Sequence, residues 1–458
     1  MLPGKSARRQ ILVLLPSYVN GITSGCIIGW TANAVFLLNL PDAEITASAE
    51  ELWWIVSMME IGKMIFSIPA GLLADKVGKE NILTNVGLIH FTSWVMLSIC
   101  TSIPLVCFAR FLAGIGTALL NATAMATIGE IASPEIRGTL ATLQQTCVLL
   151  GNLSQALITA IYPSYSVLAY VATIISSVYF ITMYWLIETP SSLIKAEKFN
   201  QAKSNLAYLR PDKTQNEIDL EFDQLKTYIE EENFLTRDTS CWQIITTKNT
   251  FKPILITASI NFFMLLTGVS VVLAYITEIV PYNNIIDRKF YPLIIMSVSV
   301  FSSLTTNLFI DRIPRRILFI TVAIMIFFTQ ASNGLMYYFY TAFGVSSCAF
   351  IFTFGNLFFR VLWAFLLLPL SSVIRSEIFP QNVKGIGNAF CDMAQAMSIT
   401  LTFKLYECMN SNNQLTDLYY IFAISAIVML GIVYFYLPEG RGKSLVEIQK
   451  QEIQKMGN

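Results

Sequence analysis

The sequence predicts an all-helical membrane protein built from two six-helix bundles. Of its 458 residues, 54% are hydrophobic and only 13% are charged, whereas a soluble globular protein has roughly 25% charged residues. Apolar segments long enough to cross a bilayer recur along the whole chain. A short charged motif also occurs twice, as Gly71–Lys79 in the first half and as Asp311–Arg316 at the matching place in the second. The chain therefore repeats one membrane unit.

Twelve segments reach the about 20 mainly apolar residues that a transmembrane helix needs. They cover residues 11–37, 51–73, 81–103, 105–130, 138–161, 165–187, 251–280, 291–310, 317–341, 346–376, 384–407 and 416–437. Lys and Arg residues at the segment ends collect on the side that holds both termini, and such an excess is typical of cytoplasmic loops. We therefore expect a multi-pass protein with both termini in the cytoplasm.

A polar stretch separates the two sets of six segments. We expect a first bundle in residues 1–187, a cytoplasmic helical domain in 188–249, a second bundle in 250–437 and a cytoplasmic tail in 438–458. Apolar residues recur at intervals of three and four between Ile218 and Ile229, as on an amphipathic helix. This pattern favours packed helices in the stretch, and a disordered linker is the alternative.

Acidic and basic residues stand together in the short turns between segments. Asp75 and Lys76 belong to the first copy of the repeated motif, and Asp311 belongs to the second. Glu130–Gly138 places an acid seven residues before a base and a glycine, and Glu377–Gly385 repeats this arrangement after the tenth segment. Such groups can hold helix ends together in one conformation by charge-assisted hydrogen bonds. The alternative is that these charges only set the membrane topology, and it explains the bases but not the paired acids.

The motifs that carry a family resemblance extend over nearly the whole chain. They are Gly71–Lys79, Arg110–Gly114, Glu130–Gly138, Leu143–Gln145 with Gly151, Glu188–Leu193, Asp311–Arg316, Glu377–Gly385 and Leu437–Ile448. In this order they make the chain resemble the sugar porter branch of the major facilitator superfamily, with a pattern similar to that of insect facilitated trehalose transporter-like proteins. The resemblance implies the major facilitator fold, a plasma-membrane location and transport of a hexose or a trehalose-like disaccharide by alternating access.

In that family the acids and bases of these motifs form a gate that closes the cytoplasmic side in the outward-facing state. The resemblance assigns this role to Asp75, Lys76, Glu130, Arg137, Glu188, Asp311, Arg315, Arg316, Glu377, Lys384 and Glu439. Two departures from the family pattern alter the local chemistry. Glu80 replaces a second base of the first motif, and Pro314, which fixes φ and lacks a donor, replaces a glycine of the second.

The resemblance is weaker at the sugar site. Gln145 matches a sugar-contacting glutamine, but Met264 and Leu265 replace two glutamines of the seventh segment, and Ser372 replaces the aromatic lid of the tenth. Asp392 stands where an asparagine is usual. The candidate substrate-binding residues are Gln144, Gln145, Asn261, Ser270, Tyr275, Ser372 and Asp392. Because an unpaired buried polar group costs roughly 1–3 kcal/mol, the missing contacts weaken monosaccharide binding unless these residues replace them.

Among the charged residues inside predicted membrane segments, four stand out as unusual, namely Glu60, Lys63, Arg360 and Asp392. Glu60 and Lys63 are three residues apart, so they share a helical face and can neutralise each other. Arg360 and Asp392 have no such partner on their own helix. Ionisable groups at this depth are costly and normally pair or line a water-filled cavity. Two interpretations stay open, namely compensating pairs, or groups that bind a polar substrate or carry protons.

The function that these residues favour is membrane transport of a small polar solute, above all a sugar. Two alternatives stay open: transport of a non-sugar or charged metabolite, with proton coupling through Asp392 or Glu60, and a nutrient sensor that does not transport. The sequence has no nucleophile motif, phosphate loop or metal-ligand spacing, so we expect neither an enzyme nor a cofactor or metal. We expect no nucleic-acid partner. The expected partners are the solute and the lipid bilayer, and the oligomeric state is open.

Overall fold

The described part of the chain is helical. The computed structural model describes residues 5–133, 135–236, 248–280, 287–306, 315–368, 370–371, 374–375, 379 and 384–436, and all regular structure in these ranges is helix. The side chains of several helical residues are not part of the description, among them those of Asp75, Lys76, Arg315 and Lys384. The prediction of an all-helical protein is confirmed for the described residues.

The first half forms six long helices at the positions of the first six predicted segments. They are α1 Lys5–Leu38, α2 Ala49–Val77, α3 Lys79–Ile99, α4 Ile103–Ile131, α5 Arg137–Ile161 and α6 Tyr165–Thr182. α1 and α5 cross in backbone contact, because a Cβ at Gly25 would lie 1.9 Å from the carbonyl oxygen of Val148 and a Cβ at Gly151 would lie 1.9 Å from that of Ile22. Small residues at such crossings are typical of membrane bundles.

Three shorter helices follow the first bundle, as the periodicity of the polar stretch predicts. They are α7 Pro190–Lys195, α8 Phe199–Leu209 and α9 Gln215–Thr236. Their apolar faces meet in one buried cluster that includes Leu193, Leu206, Ile218 and Phe222. The stretch therefore has a small core of its own.

These short helices are anchored on the start of α1 and the end of α4. The amide and hydroxyl of Ser6 donate to the Asp212 carboxylate at 2.9 and 2.8 Å, and these hydrogen bonds lower the pKa of Asp212. Arg9 donates to the carbonyl of Tyr208 at 3.0 Å. Arg210 donates to the carbonyl at the end of α4 at 3.0 Å. The three helices are thus held against the first bundle.

The second half supplies the remaining predicted segments. Its helices are α10 Lys248–Leu266, α11 Val269–Ile279, α12 Tyr291–Thr306, α13 Arg315–Phe343, α14 Ser346–Leu362, which continues as the π-helix Trp363–Leu367, α15 Lys384–Ser411 and α16 Leu415–Tyr436. Nine helical stretches in the described ranges are long and apolar enough to cross a membrane. α5, α12 and α15 lie at the other three predicted segments.

The seventh predicted segment is broken rather than continuous. α10 and α11 meet at Gly268, whose φ of +91° is a left-handed value that glycine adopts without steric cost. Gln330 on α13 donates to the carbonyl of Thr267 at 2.6 Å. This side chain supplies a hydrogen bond at the break, where lipid offers none.

The two halves pack along α2 and α15. We call the face at which α1 begins the terminal face and the face at which it ends the opposite face. Near the terminal face, a Cβ at Gly71 would lie 3.4 Å from the Cβ of Ala389. Near the opposite face, Lys404 Nζ lies 4.5 Å from the ring centroid of Trp53. α15 therefore borders the first half at both ends, and it also packs against α10.

The break at Gly268 predicts a large cost for any side chain there. A Cβ would lie 2.3 Å from the Phe422 ring, so Gly268→Ala should lower stability by about 2–4 kcal/mol through backbone strain and overpacking together. Thermal denaturation of the detergent-solubilised protein measures the loss. Gly344→Ala is the control, since Gly344 also has a positive φ but no atom within 4 Å of its added Cβ. Equal losses in the two variants would contradict the packing at Phe422.

Candidate functional site

A buried polar cluster lies between α10, α15 and the helical segment that follows the π-helix. Its centre is Asn261 on α10, of which 1% is exposed. Its Oδ1 accepts three hydrogen bonds, at 2.8, 2.7 and 2.9 Å, from Ser371 Oγ, Arg375 Nη2 and Gln395 Nε2. Its Nδ2 donates to the carbonyl of Thr257 at 2.8 Å. One amide thus ties three membrane segments together.

An ion pair adjoins this amide. Arg375 Nη1 donates to Asp392 Oδ1 at 2.6 Å, and each of the two side chains is 15% exposed. Asp392 and Gln395 are three residues apart on α15, so they share a face. Ser371 and Arg375 both donate to Asn261 Oδ1. Pairing limits the cost of placing two charges inside the membrane. Asp392 therefore has its partner on another helix.

Two irregularities of the helices flank the cluster. The π-helix Trp363–Leu367 ends four residues before Ser371, and the break at Gly268 lies about two turns after Asn261 on the same segment. π-helical turns occur frequently at functional sites, and discontinuous membrane helices commonly form the binding sites of secondary transporters. The cluster therefore combines convergent polar groups with backbone features that are typical of a ligand site.

Side chains from both halves meet at the opposite face. Asn39, just after α1, donates to the carboxylate of Glu278 at the end of α11. Tyr406 on α15 donates to the same carboxylate at 3.2 Å. With Lys404 over the Trp53 ring, these contacts hold the opposite face together.

A second polar network lies at the terminal face of the first half. Glu130 accepts hydrogen bonds from Lys79 Nζ and from the hydroxyl of Thr189, the latter at 2.6 Å. The amide of Thr189 donates to the buried Glu80 at 2.7 Å. Thr189 also caps α7 by accepting a hydrogen bond from the Ser192 amide at 3.2 Å. Glu80, the departure from the family pattern, is thus an acceptor that joins α3 to the short helices.

The match to a family model covers nearly the whole chain. Residues 13–451 match the model described as sugar (and other) transporter. The chain belongs to the sugar (and other) transporter family. This membership confirms the family that the motifs indicate.

Similar members of the sugar transporter family include insect facilitated trehalose transporters named Tret1. The chain is 24% identical over 445 residues to the protein of Apis mellifera ligustica, and this match covers 96% of the chain and 85% of the relative. It is 23% identical over 452 residues to the protein of Bombyx mori, with 96% and 86% covered. The similarity therefore extends over most of both relatives.

Solved structures of the transporter XylE share the fold. The inward open conformation of the xylose transporter XylE from E. coli gives a TM-score of 0.76 at 19% identity, with 96% of this chain and 99% of that chain covered. The major facilitator superfamily proton:xylose symporter XylE bound to 6-bromo-6-deoxy-D-glucose gives a TM-score of 0.73 at 20% identity, with 97% and 99% covered. This sugar transporter family member therefore has the major facilitator fold.

The structure brings two of the seven candidate substrate-binding residues together. Asn261 and Asp392 both contact Arg375. In the first bundle, Gln144 accepts a hydrogen bond from Ser17 at 3.2 Å. Gln145 is half-buried and makes no side-chain hydrogen bond to a residue that the structure describes. The substrate role of all these residues stays a prediction.

The other candidates lie elsewhere or are not described. Ser270 is half-buried at the start of α11. Tyr275 stacks on Tyr406 with ring centroids 4.2 Å apart and packs edge-on against Phe403. Ser372 falls outside the described residues. Tyr275 therefore belongs to the packing near the opposite face rather than to the cluster around Asn261.

Three residues of the cluster are not among the candidates predicted from the sequence, namely Ser371, Arg375 and Gln395. The signal for Arg375 was present, because it is a charged residue inside the predicted segment 346–376, as Arg360 is. Its contact with Asp392 joins two different helices, and the spacing of residues along one helix does not reveal such a pair.

The remaining intramembrane charges are accounted for by local contacts. Lys63 Nζ lies 2.7 Å from Glu60 Oε2, so the compensating pair that the spacing allows is formed. Arg360 Nε donates to Ser299 Oγ at 3.0 Å, and its guanidinium lies 4.9 Å from the ring centroid of Trp363. Arg360 is therefore not part of the cluster around Asn261.

The predicted gate is described only in part. The residues or side chains that fall outside the description are Asp75, Lys76, Asp311, Arg315, Glu377, Lys384 and Glu439. Glu130 takes part in the network with Lys79, and Glu188 accepts a hydrogen bond from α8 through its backbone carbonyl. Arg137 donates to the carbonyl of Ala132 in its own turn at 3.5 Å, and Arg316 donates to a carbonyl of α16. The gate role stays a prediction.

The network at Thr189 predicts a strong dependence on one hydroxyl. Thr189→Val removes the donor to Glu130 and the cap of α7 while it keeps the shape of the side chain, so stability should fall by about 1–3 kcal/mol. Thermal denaturation in detergent measures the fall. Thr189→Ser keeps the hydroxyl and should lose much less. Similar losses in both variants would mean that the methyl group, rather than the hydroxyl, matters.

Proposed function

We propose that this protein moves a small uncharged sugar, a hexose or a trehalose-like disaccharide, across the membrane by alternating access. The observation that carries the proposal is the polar cluster around Asn261. It combines amide, guanidinium, carboxylate and hydroxyl groups, which donate to and accept from sugar hydroxyls, and it stands beside a broken membrane helix. Membership of the sugar transporter family supports a sugar as the solute. The similar proteins are trehalose transporters and a xylose transporter, and this supports a solute of the size of a monosaccharide or disaccharide.

The proposed mechanism uses no covalent chemistry. Alternating access requires two conformations that open the same site to opposite faces, and the solute shifts their balance through the different contacts it makes in each. Opening of the opposite face requires that the hydrogen bond between Asn39 and Glu278 and the contact between Lys404 and Trp53 break. Closure of the terminal face requires new contacts there. The two sets of contacts are therefore proposed to alternate.

The proposed topology places the terminal face in the cytoplasm, because Lys and Arg residues collect at that face. Helices α7, α8 and α9 then belong to a cytoplasmic domain in residues 188–249, between bundles in residues 1–187 and 250–437 and ahead of a tail in residues 438–458. The plasma membrane is the proposed location. The eleven gate residues predicted from the motifs are proposed to close the cytoplasmic side, and Lys79 and Thr189 join them as partners of Glu130.

A second candidate function is transport of a charged metabolite with proton coupling. The ion pair between Arg375 and Asp392 supports this candidate only where the pair opens, because an anionic solute or a proton can then compete for one member, whereas the closed pair carries no net charge. This candidate predicts that uptake depends on pH and that Asp392→Asn abolishes the dependence.

Uptake into liposomes tests the proposal against the second candidate. We expect the purified protein to take up labelled glucose or trehalose with saturation and with equal rates at acidic and neutral pH. Empty liposomes and excess unlabelled sugar are the controls. No uptake of either sugar by correctly inserted protein would contradict the proposal, and uptake that rises at acidic pH would favour proton coupling.

A comparison of two buried asparagines tests the location of the site. Asn261→Ala removes the amide that positions Arg375 and Gln395, so the KM of sugar uptake should rise at least about tenfold, which corresponds to about 1.4 kcal/mol of lost binding free energy. The control is Asn356→Ala. Asn356 is equally buried and accepts a hydrogen bond from Tyr419 at 2.9 Å, so its loss should lower stability and leave KM unchanged. The same change in KM for both variants would place the site elsewhere.

A further inference from the structure

The cluster around Asn261 has more donors than acceptors. A carbonyl oxygen has two lone pairs, but Asn261 Oδ1 receives three hydrogen bonds. Arg375 adds a further donor, because its Nε is buried without a hydrogen-bond partner among the described residues. Unsatisfied donors inside a membrane are costly. The cluster is therefore suited to a ligand that brings oxygen atoms to these donors.

The ion pair leaves one acceptor for the same ligand. Arg375 binds Asp392 through Oδ1, and no residue in the described ranges donates to the other carboxylate oxygen. Both side chains are 15% exposed, and Gln395 is also half-buried, whereas Asn261 and Ser371 are buried behind them. The two charged groups and Gln395 thus form the accessible side of the cluster.

This accessible side lies near the boundary between the bundles. α15, which carries Asp392 and Gln395, also carries Ala389 and Lys404, which contact α2 of the first bundle. A ligand held between the bundles would therefore meet the ion pair. Such a ligand needs adjacent groups that both donate and accept, as vicinal hydroxyls do.

The charge of the pair restricts the ligand. Arg375 Nη1 and Asp392 Oδ1 are 2.6 Å apart, and the two side chains together carry no net charge. An anionic ligand would add a negative charge beside Asp392, and a cationic ligand would add a positive charge beside Arg375. Like charges at such distances repel strongly in a medium of low dielectric constant. The intact pair therefore favours an uncharged ligand.

We infer that Arg375 is a substrate-binding residue whose charge Asp392 compensates, so that this pair determines the charge of the sugar that the site accepts. The inference rests on the proposed function and adds to it the residues that set specificity. Arg375 donates to the sugar oxygens through the guanidinium hydrogens that Asp392 and Asn261 do not engage, and the free carboxylate oxygen of Asp392 accepts from a neighbouring hydroxyl. Sugar acids and amino sugars are excluded while the pair is intact.

Competition in a liposome uptake assay tests this inference. Uptake of labelled glucose is measured with unlabelled glucose, glucuronate or glucosamine as competitor. For the wild type we expect glucose to compete at least tenfold better than either charged sugar. Asp392→Asn leaves the guanidinium unpaired, so glucuronate should gain at least tenfold relative to glucose. Arg375→Gln leaves the carboxylate unpaired, so protonated glucosamine should gain instead.

The double variant Arg375→Gln with Asp392→Asn separates a binding role from a structural one. It is neutral again, so it should exclude both charged sugars as the wild type does, while its KM for glucose rises because the charged donor and acceptor are gone. Asp417→Asn, the same acid-to-amide change at an exposed position of α16, should leave all ratios unchanged.

The outcomes distinguish this inference from the proposed function. No saturable uptake of glucose or trehalose by the wild type would overturn the proposed function and this inference with it. Wild-type uptake with unchanged competitor ratios in both single variants would overturn the inference alone. If the single variants do not insert, a double variant that inserts and keeps the wild-type KM for glucose would also overturn it.

Discussion

The amide oxygen of Asn261 is the point on which the second bundle depends. Lipid offers no hydrogen bonds, so every polar group at membrane depth must find its partner within the protein. Three side chains from two other segments meet this requirement at one oxygen atom, and they thereby fix α10, α15 and the segment after the π-helix relative to one another. The same requirement explains Gln330 at the break of the seventh segment, where it donates to the carbonyl of Thr267.

The first bundle meets this requirement in a different way. Arg110 is fully buried, and its guanidinium donates to the carbonyl of Ile27 at 2.8 Å and to the hydroxyl of Thr31 at 2.7 Å while it lies over the Trp30 ring. These are neutral, fixed partners on the neighbouring helix α1. Arg375, in contrast, donates to Asn261 Oδ1, which also accepts two other hydrogen bonds, and its side chain is partly exposed. Of these two arginines, Arg375 is therefore the one with donors available to a solute, which is consistent with a substrate contact in the second bundle.

The sequence predicts the fold well because lipid imposes strong rules on composition. Segment length and the periodicity of Ile218–Ile229 are local signals, and each corresponds to a helix at the expected place. The pair of Glu60 and Lys63 is equally local, since a spacing of three residues brings them together on one helix. The site is less predictable. Asn261 and Asp392 stand out as polar residues in apolar segments, but their connection through Arg375 depends on how three helices pack. The break at Gly268 depends on a backbone angle that the glycine permits but does not require.

The most direct test of this account is a structure of the protein with glucose bound. We expect sugar hydroxyl oxygens within about 3.2 Å, a hydrogen-bond distance, of Arg375 and of Asp392, with the sugar between the two bundles. A glucose molecule bound only to residues of the first bundle, with the three hydrogen bonds to Asn261 and the ion pair unchanged, would contradict the account.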